Sequence, residues 1–177
     1  MINSNNLGGS EAACAFTRMV GVLKSFIKDY NRTFDEHPQI KITRKNKKTG
    51  VEYISSAAGA YQVMGYTWSD PSTEFWRRKY QINDFSPQSQ DLLCVVFLKE
   101  KVRGNALSMI TKNKIKEAIE DSCSYEWASL PPGRHGQPIK KIDECLSAYE
   151  KFLSEERLGQ TTLFIKPGFL EVFNNDK

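Results

Sequence analysis

The most constraining feature of this sequence is a run of seven apolar residues, LLCVVFL at positions 92–98, that follows a strong helix start. Ser86 is a typical N-cap and Pro87 suits the first helical position, so the pattern predicts a helix that continues through the run. Such a helix is apolar on nearly all sides and belongs in the centre of a core. Seven residues are too few to cross a bilayer, so we expect no membrane span.

Further helical patterns accompany this one. Ser10 can cap a helix whose apolar side chains recur at steps of three and four residues as far as Tyr30. Three more helices are predicted to begin at Asp70 with Pro71, at Thr111 (ending near Trp127) and at Pro138. Since only one short β signal is present, the predicted fold class is α+β and mainly helical.

That β signal is a hairpin with a strongly basic tip. Residues 39–43 and 51–55 alternate apolar and polar side chains, and a turn with Asn46 and Gly50 lies between them. Five of the eight residues 41–48 are basic. They are either a solvated edge that resists aggregation or a contact for an anionic polymer. The segment lacks interleaved aromatic residues, so we do not expect nucleic-acid binding.

Length and charge set the broad class of the protein. The 177 residues suffice for one domain, which we expect at residues 10–158, with a flexible N-terminus at 1–9 and a C-terminal tail at 159–177. The net charge of +4 mildly favours an anionic partner surface. The N-terminus has no apolar signal core, so we expect the chain to be made in the cytoplasm without a signal peptide.

No cofactor or metal site is expected. Cysteine occurs four times, always within an apolar stretch and never in a zinc-binding spacing, so the thiols are predicted to be reduced core residues. A disulfide is the alternative if the protein leaves the cell. The common nucleotide-binding, zinc-protease and serine-hydrolase motifs are absent.

The histidines and carboxylates offer few catalytic candidates. His37 precedes a proline and is expected to cap or pack, whereas His135 lies between Arg134 and Gly136 and is expected to be exposed and able to bind a ligand. Asp29 lies at the end of the first helical pattern, and Glu36 lies at the junction between that helix and the hairpin, where a cleft could open.

Two segments combine aromatic and amide side chains, as saccharide sites do. They are residues 55–68, SSAAGAYQVMGYTW, and residues 126–137, EWASLPPGRHGQ. Sugars present apolar ring faces rimmed by hydroxyl groups, which aromatic rings and amides can contact together. The alternative is that Trp68 and Trp127 are simply core residues.

In these two segments and one between them, the sequence resembles the bacteriophage lambda lysozyme family, which includes phage endolysins and lysozyme-like toxin domains. The resemblance runs from about His37 to Tyr149. Its blocks are SSAAGAYQ at 55–62, TW at 67–68, DFSPQSQD at 84–91, EWASLP at 126–131 and GQ at 136–137. It implies a lysozyme-like fold with a helical lobe, a small β-hairpin lobe and a peptidoglycan groove between them.

The resemblance also implies an activity, which is the cleavage of a glycosidic bond by a single acidic residue. In the lambda type, a glutamic acid protonates the leaving oxygen between N-acetylmuramic acid and N-acetylglucosamine and leaves an anhydro sugar. This chemistry needs a carboxylic acid kept protonated in a partly apolar cleft. The family places this acid in a Glu-Gly-Thr turn after the first helix.

The sequence departs from the family at that position. No Glu-Gly-Thr turn occurs between the first helix and Glu36-His37-Pro38, and the simplest register places Lys24 where the acid is expected. A lysine cannot act as that acid. Asp29 and Glu36 are therefore the substitute catalytic candidates.

The resemblance also assigns saccharide contacts. Ser56, Tyr61 and Gln62 match the family segment that lines the groove, and Gln137 is kept. His135 stands where lambda-type members have an aromatic residue, which would change stacking on a sugar ring.

Two functions remain open at this point. The first is a lysozyme-like protein that binds peptidoglycan glycan strands, or a protein partner, with catalysis altered or absent. The second is an active muramidase or lytic transglycosylase that uses Asp29 or Glu36. Either would act at the cell envelope or in the periplasm after release or delivery.

Overall fold

The helix that carries the apolar run lies in the centre of the core. In the computed structural model, which describes residues 7–22, 35–46, 49–165 and 169–170, this helix is α4 (Pro87–Val96), extended by a π-helical turn at Phe97–Lys101. The Ser86 hydroxyl caps it by accepting a hydrogen bond from Ser89 N at 3.3 Å. Residues 93–98 are all buried, which confirms the central helix.

Helix α1 (Leu7–Val22) packs against the long helix α7 (Ile142–Arg157). Ser10 lies inside α1, so the predicted cap is wrong, because the helix begins three residues earlier. The part of the predicted helix beyond residue 22 lies outside the described residues. Arg18, only 6% exposed, crosses to α7 and pairs with Glu155 at 2.5 Å and Glu156 at 2.7 Å. A buried charge needs such partners, so this cluster joins the two helices at a fixed register.

The remaining helices are short and lie between α1 and α7 in sequence. They are α2 (Gly65–Trp68), α3 (Pro71–Lys79), α5 (Ala106–Thr111) and α6 (Ile115–Glu117), followed by a π-helical turn at Ala118–Ser122 and a 3-10 turn at Cys123–Tyr125.

Of the three helices predicted to begin at Asp70, Thr111 and Pro138, two need correction and one is confirmed. The predicted helix at 111–127 is interrupted, because Asn113 adopts a positive φ of 59° between α5 and α6. Pro138 does not begin α7, since residues 138–141 form a connection in which Lys140 N donates to Ser129 O at 2.9 Å. Asp70 and Pro71 do begin α3, and the Asp70 carboxylate accepts from Ser72 N at 2.9 Å.

The β lobe is one antiparallel hairpin of β1 (Ile42–Lys45) and β2 (Glu52–Ser55). Its register pairs Arg44 with Tyr53 and Lys45 with Glu52. The first strand begins three residues later than predicted, because Gln39 takes a positive φ of 55° and instead packs across to α2. The described residues thus confirm an α+β, mainly helical architecture with a small β-hairpin lobe.

An aromatic cluster lies where the hairpin joins the helices. The rings of His37, Trp68 and Phe85 are in mutual contact, with centroid distances of 4.9 to 6.0 Å. The Arg77 guanidinium stacks on Trp68 at 3.7 Å. Trp68 is 3% exposed, so the interpretation of this residue as a core residue is confirmed.

The cysteines agree with their predicted role. All four are free; Cys94, Cys123 and Cys145 are buried and Cys14 is half-buried. Burial raises the pKa of the Cys14 thiol to about 12 and that of Cys145 to about 11, so both are protonated at neutral pH. Within the described ranges, no helix has the length and apolar character needed to span a membrane.

Candidate glycan-binding site

The 55–64 segment forms a tight, hydrogen-bonded loop that leads from the end of β2 to α2. Ala58 and Val63 exchange both backbone hydrogen bonds, at 2.9 and 3.0 Å. The turn between them contains Gly59 at φ 72°, where an added Cβ would collide with the side chain of Gln90. The loop thus needs glycine at this position, both for the backbone conformation and for its close approach to α4.

Two of the candidate saccharide contacts are presented by this loop. Gln62 is half-buried at φ 53°, and its amide Nε2 donates to Gly59 O at 2.8 Å. Ser56 is also half-buried, and its Oγ accepts from Gly65 N at 2.9 Å. Both side chains therefore have fixed positions yet retain polar atoms that can meet a ligand hydroxyl.

Helix α4 supports the loop from the core side through a buried amide. Gln90 is 5% exposed; its Oε1 accepts from Ala60 N at 2.7 Å, and its Nε2 donates to Phe85 O at 2.7 Å. Both polar ends of the amide are used, so the side chain is satisfied and its rotamer is fixed.

The third candidate, Tyr61, lies beneath the loop. It is 4% exposed, and its hydroxyl donates to Asp91 Oδ1 at 2.5 Å. Burial is the main cause that raises the pKa of Tyr61, so the hydroxyl keeps its proton. Burial also raises the pKa of Asp91, although its two hydrogen bonds act in the opposite direction. Tyr61 is therefore placed to hold the loop in position from below.

The 127–137 loop meets the 55–64 segment through one hydrogen bond. Trp127 is 8% exposed, and its Nε1 donates to Tyr61 O at 3.3 Å. This confirms Trp127 as a core residue and also makes it a direct link between the two segments identified in the sequence.

The rest of this loop carries the exposed candidates. His135 and Gln137 are both exposed, as predicted for His135. Arg134, just before them, donates from Nε to Ser124 Oγ at 2.9 Å and from Nη2 to Glu120 O at 3.0 Å. Its guanidinium also stacks on the Tyr125 ring at 3.9 Å. Arg134 thus anchors the part of the loop that presents His135 and Gln137.

Of the catalytic candidates, only Glu36 lies within the described residues. Its Oε2 accepts from Trp68 Nε1 at 3.2 Å, and the residue is exposed rather than enclosed by apolar side chains. Asp29 and Lys24 lie outside the described residues, so the sequence register for them stays a prediction.

His37 packs, as the sequence suggested, and its two bonds define one tautomer. It is 3% exposed; Gln39 N donates to its Nδ1 at 3.0 Å, so Nε2 carries the proton and donates to Val63 O at 2.8 Å. Burial lowers the pKa of His37, which favours this neutral form. The residue therefore ties the chain next to Glu36 to the end of the 55–64 segment.

Sequence reasoning missed the support role of Gln90 and Asp91. Both are buried polar residues of α4 that contact the 55–64 segment. Their signal was present, because two polar residues directly precede a run that is apolar on all sides. Polar side chains that a helix carries into the core need partners there, so Gln90 and Asp91 bond to the neighbouring segment.

Comparison with known proteins identifies relatives of this chain. The family model described as Endolysin matches residues 8–155. The endolysin of Escherichia phage lambda is 33% identical over 118 residues, which are 67% of this chain and 66% of that protein. The endolysin of Escherichia phage P2 is 32% identical over 95 residues, which are 54% of this chain and 52% of that protein. The matched part thus spans just under two thirds of the lambda protein and about half of the P2 protein.

A solved structure shares the fold. The bacteriophage lambda lysozyme complexed with a chitohexasaccharide superposes with a TM-score of 0.60 at 26% sequence identity, and the match covers 86% of this chain and 97% of that one. In that protein, a hexasaccharide is the bound ligand.

Proposed function

The chain belongs to the endolysin family, and from this premise we propose that it binds the glycan strands of peptidoglycan through the 55–64 segment and the 127–137 loop. The observation that carries the proposal is the hydrogen bond from Trp127 Nε1 to Tyr61 O at 3.3 Å. It joins the two segments whose residues resemble the family's saccharide groove. The hexasaccharide bound to the related lysozyme structure supports a glycan as the class of ligand.

The available side chains suit a sugar polymer. Ser56 and Gln62 offer fixed hydroxyl and amide groups, and the exposed Gln137 adds a second amide. The exposed His135 imidazole can stack on a sugar face, though over less area than the aromatic residue expected there. Amides and hydroxyls both donate and accept, which matches the hydroxyl and acetamido groups of the glycan.

We further propose that catalysis is altered or absent. Glu36 is exposed and accepts the Trp68 Nε1–H bond, whereas the family's chemistry needs an acid in a partly apolar cleft. The position expected to hold the family's acid carries Lys24 in the sequence register. The alternative is an active muramidase or lytic transglycosylase in which Asp29 or Glu36 serves as the acid.

The site of action follows from the ligand. Peptidoglycan-bearing envelopes are polyanionic, and the net charge of +4 suits work at such a surface. The protein would therefore act at the cell envelope or in the periplasm after release or delivery.

A pull-down on insoluble peptidoglycan tests the binding proposal. We compare the wild type with Gln137→Ala and with Gln88→Ala, a matched change at an exposed glutamine of α4. Loss of one good hydrogen bond should weaken binding by Gln137→Ala about fivefold and leave Gln88→Ala unchanged. Equal binding by all three would place the site elsewhere. No binding by the wild type would refute the glycan proposal and favour a protein partner.

Release of soluble fragments from purified sacculi tests catalysis separately. We expect no turnover by the wild type and a gain of activity in Lys24→Glu if the register is correct. Turnover by the wild type that Asp29→Ala or Glu36→Ala abolishes would show that the alternative is right and that this chain is an active lysozyme.

A further inference from the structure

Asp91 is a buried carboxylate whose two oxygens hold two different parts of the chain. It lies in α4 and is 5% exposed. Oδ1 accepts from the Tyr61 hydroxyl at 2.5 Å, and Oδ2 accepts from Phe164 N at 2.7 Å. Hydrogen bonds that involve a carboxylate are stronger than neutral ones, so both contacts are firm attachments.

One of these attachments fixes the 55–64 segment. The Tyr61 ring is buried beneath the loop, and the carbonyl of the same residue accepts the Trp127 Nε1–H bond. Gln62, which presents its amide at a positive φ, is the next residue in the chain. Any displacement of Tyr61 would therefore move both a candidate sugar contact and the link to the 127–137 loop.

The other attachment fixes the 160–165 segment, which follows α7 and has no regular secondary structure. At its start, Gln160 O accepts from Arg18 Nη1 at 3.1 Å. Further along, Phe164 is 62% exposed, and its backbone N–H donates to Asp91. Arg18 of α1 and Asp91 of α4 thus each bond to the segment, and Ile165 at its end packs against the core.

We propose that Asp91 is a positioning residue through which the 160–165 segment keeps the 55–64 segment in its glycan-binding conformation. The 160–165 segment is then part of the working domain. The functional half of this inference rests on the proposed glycan binding, whereas the coupling between the two segments does not.

The Phe164 amide allows a sharply controlled test. Phe164→Pro removes the backbone N–H that donates to Asp91. Phe164→Ala keeps this N–H and, like the proline variant, removes the exposed phenyl ring. Hydrogen exchange of a peptide covering residues 57–64 is then measured in both variants. We expect exchange about tenfold faster in Phe164→Pro than in the wild type, and no change in Phe164→Ala. Equal exchange in the two variants would overturn the coupling.

A second variant approaches the same bond from the loop side. Tyr61→Phe keeps the buried ring and removes only the hydroxyl that donates to Asp91. This variant remains informative if the proline variant does not fold. Coupling is reciprocal, so exchange at the Phe164 amide should also become faster in Tyr61→Phe. An unchanged Phe164 amide would contradict the proposal.

Binding of chitohexasaccharide then connects the coupling to function. The dissociation constant should rise several-fold in Phe164→Pro and Tyr61→Phe but not in Phe164→Ala, and the saccharide should slow exchange at Phe164 in the wild type. If the wild type binds neither the saccharide nor insoluble peptidoglycan while the exchange results hold, the proposed function fails and the coupling stands. If binding is normal in all variants, the functional role of Asp91 is wrong.

Discussion

The two segments that we propose to meet the glycan are held in different ways. In the 55–64 segment, backbone groups bond to each other and to side chains from α4, and Tyr61 is buried. In the 127–137 loop, Trp127 is buried at one end, whereas the part that carries His135 is exposed and anchored mainly through Arg134.

This difference separates a preorganised half of the proposed site from an adjustable half. Preorganised groups lose little freedom when a ligand binds, so they contribute affinity efficiently. An exposed loop can adapt to the ligand but must be ordered on binding. Changes that loosen the first segment should therefore affect stability and binding together, whereas changes in the loop should affect binding with little loss of stability.

The largest effect is expected for Trp68→Ala, which removes the centre of the aromatic cluster next to the 55–64 segment. Trp68 is 3% exposed and contacts His37, Phe85 and Arg77. Loss of a buried tryptophan costs about 3–5 kcal/mol of unfolding free energy, to be measured by denaturant titration. His135→Ala, on the exposed loop, should stay within about 0.5 kcal/mol of the wild type. Similar losses in both variants would refute the contrast.

A smaller loss is expected for Gln90→Ala, which leaves Ala60 N–H and Phe85 C=O without their shared partner. Loss of the buried bond to Phe85 C=O costs about 1–3 kcal/mol, whereas the partly buried Ala60 N–H can bond to water instead. The loss should appear in denaturant unfolding and as weaker binding to peptidoglycan. Gln88→Ala, an exposed change in the same helix, should alter neither. Normal binding by a destabilised Gln90→Ala would show that the loop does not need this support.

These support residues also mark where prediction from sequence ends. The starts of α3 and α4 were predictable because Asp70-Pro71 and Ser86-Pro87 act locally through backbone caps. Gln90 and Arg18 were not, since their partners lie 30 and 138 residues away in sequence. The positive φ of Gln62 likewise depends on the loop that encloses it rather than on its own preference. The two segments that we propose to meet the glycan could be singled out from the sequence because their aromatic and amide residues form contiguous blocks.

Acid should weaken the 55–64 segment through His37. Its pKa is lowered from the ordinary value of 6.5 by burial, so the unfolded chain takes up the proton first as the pH falls. The stabilisation is complete above pH 6.5 and is lost as the pH falls through the lowered folded-state pKa. Protonation would also place a hydrogen on Nδ1, which now accepts from Gln39 N–H, so this hydrogen bond would be lost.

Unfolding free energies measured from pH 8 to pH 5 test this effect. The wild type should lose more stability than His37→Gln, which cannot titrate at this position and keeps a polar side chain there. His135 is present and exposed in both proteins, so it does not contribute to the difference. Parallel pH profiles for the two proteins would show that His37 is not the group responsible.

A small effect on stability is expected for Arg134→Ala, which tests the adjustable half directly. The change removes the bonds to Ser124 Oγ and Glu120 O that fix the exposed part of the 127–137 loop. Because Arg134 is exposed, the unfolding free energy should fall by less than about 1 kcal/mol. Binding to peptidoglycan should still weaken several-fold, because His135 and Gln137 must then be ordered by the ligand.

Arg103 provides the matched control for this last change. Its guanidinium also stacks on the Tyr125 ring, at 4.7 Å, but it lies outside the 127–137 loop. Arg103→Ala removes one positive charge next to the same ring. If Arg134 acted only through its charge on an anionic envelope, both variants would therefore weaken binding to peptidoglycan equally. If the loop anchor matters, only Arg134→Ala should lose affinity, and Arg134→Lys should recover little, because a lysine cannot reproduce the two directed bonds of the guanidinium.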